Sequence, residues 1–131
     1  MADKQLEEGT DLTMDFAKRG GYVPCMVQDV SDGQILMLAY VNEQALHATM
    51  DKGMATFWST SRNALWTKGE TSGDFLKIVE ILTDCDQDAL IYRVVPQGEG
   101  ACHTRDSQGN TRRSCFYRRV DPATRTLLFP S

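Results

Sequence analysis

The succession of strand-like and helix-like segments predicts an α+β fold, built on mainly antiparallel β-sheet with a few helices. Three observations carry this. Runs of strand formers outnumber helical segments. Two of those runs, 22–30 and 34–41, are separated only by Ser31-Asp32-Gly33, which is hairpin-turn chemistry. One further segment, opening at Asn42, has the N-cap, apolar face and glycine stop of a helix. With 131 residues, 41% of them hydrophobic and 24% charged, the chain is long enough to bury a core. It has no linker, repeat or low-complexity tract, so one domain over 1–131 is expected.

The segment 5–19 is the least regular. Leu12 and Phe16 are four apart and share a helix face, whereas Leu6 is out of step and Gly9 intervenes. A short helix is therefore expected from Thr10, stopped by Gly20-Gly21. After the hairpin, Asn42 caps a helix with Glu43 and Gln44 in its first turn, where a carboxylate suits the helix dipole. Ala45, Leu46, Thr49 and Met50 form its mostly apolar face, and Gly53 is its stop. Strand character returns at 56–59. The stretch 62–74 is polar and rich in Gly, Ser and Thr. Further strands are expected at 75–82 and 89–95, joined by Thr83-Asp84-Cys85-Asp86-Gln87-Asp88, and a last one around 114–120. The tail 121–131 receives no assignment.

No run approaches the roughly 18 apolar residues of a membrane span. Residues 1–8 are polar and mixed in charge, unlike a secretory signal, so the expected location is the cytoplasm. There the four cysteines, Cys25, Cys85, Cys102 and Cys115, should be thiols. Cys25 lies in the apolar run Val23-Pro24-Cys25-Met26-Val27 and reads as a core thiol. The net charge of −4 argues against a nucleic-acid partner, which requires a basic surface. A small phosphorylated substrate stays open, through a local basic cluster or bound divalent cations.

Three constellations carry chemistry. If 84–88 is extended, Asp84, Asp86 and Asp88 point one way and Cys85 the other. Three carboxylates on one face repel each other unless a cation lies among them, and hard oxygen donors suit Mg²⁺; the alternative is a solvated acidic turn. Cys102-His103 and Cys115, taken with Cys85, offer three thiolates and an imidazole, which are ligands for zinc. Three protein ligands would leave an open, catalytic position; the alternative is ordinary buried thiols. The third constellation joins Ser59-Thr60-Ser61-Arg62-Asn63 to Trp66-Thr67-Lys68-Gly69-Glu70-Thr71-Ser72-Gly73. Arg62 and Lys68 supply charge among hydroxyls and glycine-flanked backbone, which suits an anion-binding loop. Trp58 or Trp66 could stack on a base or pack in the core. A P-loop is excluded, because no Gly-Lys-Ser/Thr follows a strand at the required spacing.

Taken in order, these pieces resemble the phosphoribosyl-AMP cyclohydrolase family over about 23–119. The matching text is 39–46 (AYVNEQAL), 61–73 (SRNALWTKGETSG), 84–88 (DCDQD), 101–104 (ACHT) and 114–116 (SCF). The resemblance implies a hydrolase of histidine biosynthesis that opens the adenine ring of phosphoribosyl-AMP between N1 and C6, using a zinc-activated water. It implies zinc on Cys102 and Cys115 with Cys85 contributed by the other subunit, and magnesium on Asp84, Asp86 and Asp88 assisting phosphate binding. It also implies a small intertwined homodimer, a monofunctional chain, and a substrate-binding set of Arg62, Asn63, Trp66, Lys68, Glu70, Thr71 and Ser72. His103, beside a metal ligand, is assigned to proton transfer.

Two departures stand out. Family members usually have a short spacer with Gly after the Thr, whereas here Arg105 follows and the loop 105–113 is longer. It contains Ser107-Gln108-Gly109-Asn110 and is expected to be a hairpin extension that leaves both cysteines in reach, with Arg105, Arg112 and Arg113 near phosphate. The second departure is Asp74, where relatives often carry a neutral polar residue. Zinc deaminases are excluded, because the chain has neither His-x-Glu nor Pro-Cys-x-x-Cys. A non-catalytic zinc module would instead require a fourth protein ligand.

Overall fold

A computed structural model describes residues 4–129. The expected hairpin forms as β1 (Val23–Asp29) and β2 (Ile35–Val41), antiparallel, with a register shift at Val27/Gln28. That shift lets the neighbours Leu36 and Met37 both turn inward. The helix opening at Asn42 forms as well. We number it α2 (Glu43–Lys52), after α1 (Lys4–Glu8). Asn42 accepts the Ala45 amide at 2.8 Å, and Gly53 closes the helix in the left-handed region at φ 72°. β3 (Thr56–Ser59), β5 (Leu76–Thr83) and β6 (Leu90–Pro96) fall where strand formers concentrate.

The principal sheet has the order β2-β1-β6-β5. β1 pairs with β6 in parallel, so the sheet is mixed rather than purely antiparallel. Alternate residues of β1 and β6, among them Val23, Cys25, Val27, Tyr92 and Val94, point to one face and are completely buried. α2 and the small antiparallel sheet of β3 with β4 (Ala64–Thr67) supply Ala45, Leu46 and Phe57 to this core.

Three expectations are corrected. No helix runs from Thr10: α1 ends before it, and only the 3₁₀ turn Ala17–Arg19 meets the glycine stop, at Gly20. The backbone groups that such a helix would pair internally go instead to Gln87. Its carbonyl and side chain take the amides of Asp15 and Thr13, each at 2.8 Å, and its Nε2 donates to the Asp11 carbonyl at 3.1 Å. Second, β4 lies within the polar stretch 62–74, where composition masked it. Third, 114–118 is irregular, and the terminal hairpin pairs β7 (Arg119–Asp121) with β8 (Thr126–Leu128). That hairpin occupies the unassigned tail, whose residues 130–131 lie outside the described residues.

One buried hydroxyl joins α2 to the principal sheet and to the sheet of β3 and β4. Thr49 Oγ1 shares its proton between the carbonyls of Ala45 (2.8 Å) and Thr56 (3.1 Å). It accepts the Thr56 amide at 3.0 Å and the Tyr92 hydroxyl at 3.2 Å. Thr49→Val keeps the shape but strands these two buried donors, so a loss of about 3 kcal/mol is expected. Urea unfolding should show the midpoint falling with an unchanged slope.

Candidate active site

The acidic connector is a turn, not an extended strand. Asp84 Oδ1 accepts the amides of Asp88 (2.9 Å) and Ala89 (3.1 Å), and Gln87 adopts a positive φ of 53°. The turn, rather than alternation along a strand, brings Asp84, Asp86 and Asp88 together, with one oxygen from each within 4.8 Å of the others. Burial, reinforced by Asp88 and Asp86, pushes the Asp84 carboxyl up. Asp88 is held far below the usual carboxylate range, chiefly by Lys18. Lys18 Nζ lies 2.6 Å from Asp88 and 3.2 Å from Asp86, and Arg19 lies 3.2 Å from Asp88. The donor set is all oxygen, which fits a hard divalent ion.

The thiols separate into two places. Cys25 is fully buried in the core, as expected, and its burial pushes its pKa above the usual thiol range. Cys102 and Cys115 lie near enough for each thiol to act on the other's charge, and Lys68 acts on that of Cys115. Cys85 stands exposed on the acidic turn. Among the described residues, the three aspartates are the one convergent set of three or more such ligand groups, so Cys85 does not join the thiol pair within one chain.

Backbone hydrogen bonds explain the pairing of Cys102 with Cys115. β2 is an edge strand, and its unpaired carbonyls are taken up by the segment after the long loop. The Cys115 amide donates to Leu36 O at 2.7 Å, and Ser114 Oγ to Ile35 O at 2.7 Å. Ala101 and Cys102 donate their amides to Arg113 O (3.0 Å) and Arg112 O (3.2 Å). Gly100 permits this approach, since a β-carbon there would collide with the Arg112 carbonyl. Burial pushes the Cys115 thiol up to about 11, with Cys102 adding to it. Burial acts the same way on Cys102, but Thr104, Cys115 and Arg112 outweigh it and hold that thiol below its usual value. Two adjacent sulfurs of this kind fit zinc.

The remaining expected site residues lie on β4 and the two turns beside it. Arg62 and Asn63 are exposed in the β3–β4 turn, with Asn63 at φ 50° and Arg62 against Ser59 Oγ. Trp66 is half-buried on Phe57, with ring centroids 4.9 Å apart. Glu70 accepts the Thr67 amide at 3.3 Å. Thr71 and Ser72 are exposed in the next turn, where Ser72 Oγ accepts the Asp74 amide at 3.1 Å. His103 is exposed beside Cys102. The loop 105–113 is the expected hairpin extension, closed by an Arg105–Thr111 bridge.

Its arginines are engaged inward rather than held free for phosphate. Arg105 donates to Gly109 O at 3.0 Å. Arg112 donates to Thr104 Oγ1 and lies over the Tyr117 ring. Arg113 forks onto Asp29, Asp32 and Gln34. Asp74 accepts the Glu99 amide at 2.9 Å and so ties two loops together. Residue-type reasoning missed Gln87, Lys18, Arg19 and Thr104. The two cations were readable only as the charge that an acidic turn requires.

A sulfur pair and a carboxylate trio on a small β-rich fold define a candidate metal-ligating protein. Its relatives make the identity specific. The family model for phosphoribosyl-AMP cyclohydrolase matches residues 37–117. The phosphoribosyl-AMP cyclohydrolase of Solibacter usitatus is 47% identical over 110 residues, covering 84% of this chain and 82% of the relative. That of Mesorhizobium japonicum is 52% identical over 118 residues, covering 89% and 72%. That of Desulfatibacillum aliphaticivorans is 44% identical over 117 residues, covering 89% of each. The chain belongs to the phosphoribosyl-AMP cyclohydrolase family, and it is accordingly a hydrolase of histidine biosynthesis.

The buried Asp29 supplies a check on the geometry of the site. Burial raises its pKa, but hydrogen bonds from Ser31 and Arg113 outweigh that and hold it below the usual range. A depressed carboxyl contributes stability in full above its unfolded value of about 3.9 and loses it as pH falls through the folded value. Arg113→Ala should therefore cost about 2 kcal/mol at neutral pH. Urea unfolding at successive pH values should show the gap from the parent narrowing as pH drops below about 4.

Proposed function

We propose that the chain opens the adenine ring of phosphoribosyl-AMP at the N1–C6 bond, within a homodimer whose active site is shared between subunits. Zinc would be held by Cys102 and Cys115 of one chain and Cys85 of the other, with magnesium on Asp84, Asp86 and Asp88. The observation that carries this reading is the separation of the thiols: Cys102 and Cys115 act on each other's charge, and the third thiol stands exposed on a different turn. No fourth protein ligand joins the pair among the described residues, as a closed structural site would need.

The outer face of the principal sheet supports a second subunit. Leu38, Met26, Ile91 and Leu82 occupy one row across all four strands. Leu38 and Leu82 are 42% and 40% exposed, so the row is apolar and partly open. It ends three residues before Cys85, so covering this face with a second copy carries Cys85 into the interface. Among the described residues no helix is long and apolar enough to cross a membrane. Four free thiols fit a reducing, cytoplasmic setting.

Zinc, when bound, is a Lewis acid that lowers the pKa of a water toward about 7. In the overall reaction the water oxygen ends on C6 and the N1–C6 electron pair passes to N1; the exocyclic nitrogen on C6 takes one proton of the water as it becomes the carboxamide nitrogen, and N1 takes the other. His103, exposed beside Cys102, is the group proposed to move that proton. Lys68 offsets negative charge at the thiol pair. Arg62, Asn63, Glu70, Thr71 and Ser72, on the two turns flanking β4, are proposed to receive the substrate together with Trp66 of that strand. Magnesium, when bound, would screen its phosphates from the aspartates.

The ultraviolet change of ring opening, followed with phosphoribosyl-AMP and Mg²⁺, tests the reading. The parent should turn over and Cys102→Ser should not. A zinc-loaded, folded dimer without turnover would refute it. His103→Asn should lower kcat by about 10²- to 10⁴-fold, and full turnover would remove the proton-transfer role. Chelation should weaken the dimer as well as activity, which sedimentation would show.

A further inference from the structure

We propose that Thr104, fixed by Arg112, is a positioning residue that donates a hydrogen bond to the Cys102 sulfur and so sets how strongly that ligand donates to a bound metal. The proposal rests on the zinc reading above. Thr104 Oγ1 lies 2.9 Å from Cys102 Sγ, and the Thr104 amide lies 3.5 Å from the same sulfur. Arg112 Nη1 donates to Thr104 Oγ1 at 3.2 Å. With that oxygen accepting from a cation, the hydroxyl's own proton is directed to the sulfur, which as a thiolate can only accept.

Arg112 is itself immobilised. Its guanidinium carbon stands 4.0 Å above the Tyr117 ring, and Nη1 also donates to Arg105 O at 2.8 Å. Its amide donates to Thr104 O at 3.0 Å and its carbonyl accepts from Cys102 N. The far end of the long loop 105–113 is thus folded back onto the two residues after Cys102. Arg112, at that end of the loop, is thus the cation that orients Thr104. Hydrogen bonds to a ligating sulfur draw charge from it and leave the metal more electrophilic.

Cobalt(II) replacing zinc tests this, because its thiolate charge-transfer band reports electron donation by sulfur. Thr104→Val, which keeps the shape and removes the hydroxyl, should move the band to longer wavelength and weaken cobalt binding about 10- to 100-fold. Thr104→Ser should restore both. Arg112→Met should move the band in the same direction and by less, and it serves if Thr104→Val does not fold. A band and affinity unchanged in Thr104→Val, or in Arg112→Met in its place, would overturn the proposal while leaving the zinc reading intact. A parent protein that shows no thiolate–cobalt band would overturn both.

Discussion

An edge strand leaves carbonyls to be satisfied, and here the Leu36 carbonyl is satisfied by the amide of Cys115 at 2.7 Å. Much of the site depends on that bond. It returns the chain to the sheet after a long excursion and fixes the direction of the residues before it. The carbonyls of Arg112 and Arg113 then face the amides of Cys102 and Ala101. Two cysteines thirteen positions apart become neighbours through backbone pairing, which leaves their sulfurs free for chemistry. Surface loops tolerate added length at small entropic cost provided their ends stay together. Here the ends are held by the same hydrogen bonds that position the sulfurs.

The acidic turn is organised by a different force. Its carboxylates repel, so each needs a donor or a cation. Asp84 spends one oxygen on two backbone amides, and Asp88 meets Lys18 and Arg19. Gln87 then fastens 11–15 across the turn through three hydrogen bonds, which places the two cations over the carboxylates. The N-terminal segment therefore belongs to the site electrostatically, although it lies outside the matched family region. On the proposed reading, the turn presents Cys85 outward beside the apolar row of the sheet, where a second copy of the chain would use it.

The sequence was most legible where local chemistry is decisive. Asn42 and Gly53 bound α2 because a cap and a left-handed stop work within a few residues. Ser31-Asp32-Gly33 closed the first hairpin for the same reason. Elements that depend on distant partners were not legible. The helix expected from Thr10 gave way to hydrogen bonds with Gln87, more than seventy positions away. The strand expected at 114–120 gave way to the edge of β2. The parallel pairing of β1 with β6 has no local signature. The aspartates singled out by residue type do converge, but through an Asp84-capped turn rather than by alternation along a strand. The arginines of the long loop were read by charge alone, and the structure gives each an internal partner.

The central claim is that one chain holds an incomplete ligand set and that a second copy completes it. Cys85→Ser and Cys115→Ser proteins, each purified and then mixed under conditions that exchange subunits, test it directly through phosphoribosyl-AMP ring opening. Each alone should be inactive. Mixed dimers regain one intact site of two, so about a quarter of the parent's activity should return at equal amounts. If activity does not return although mass spectrometry shows the mixed dimer, the shared site is contradicted, and Cys85 must act within its own chain or not at all.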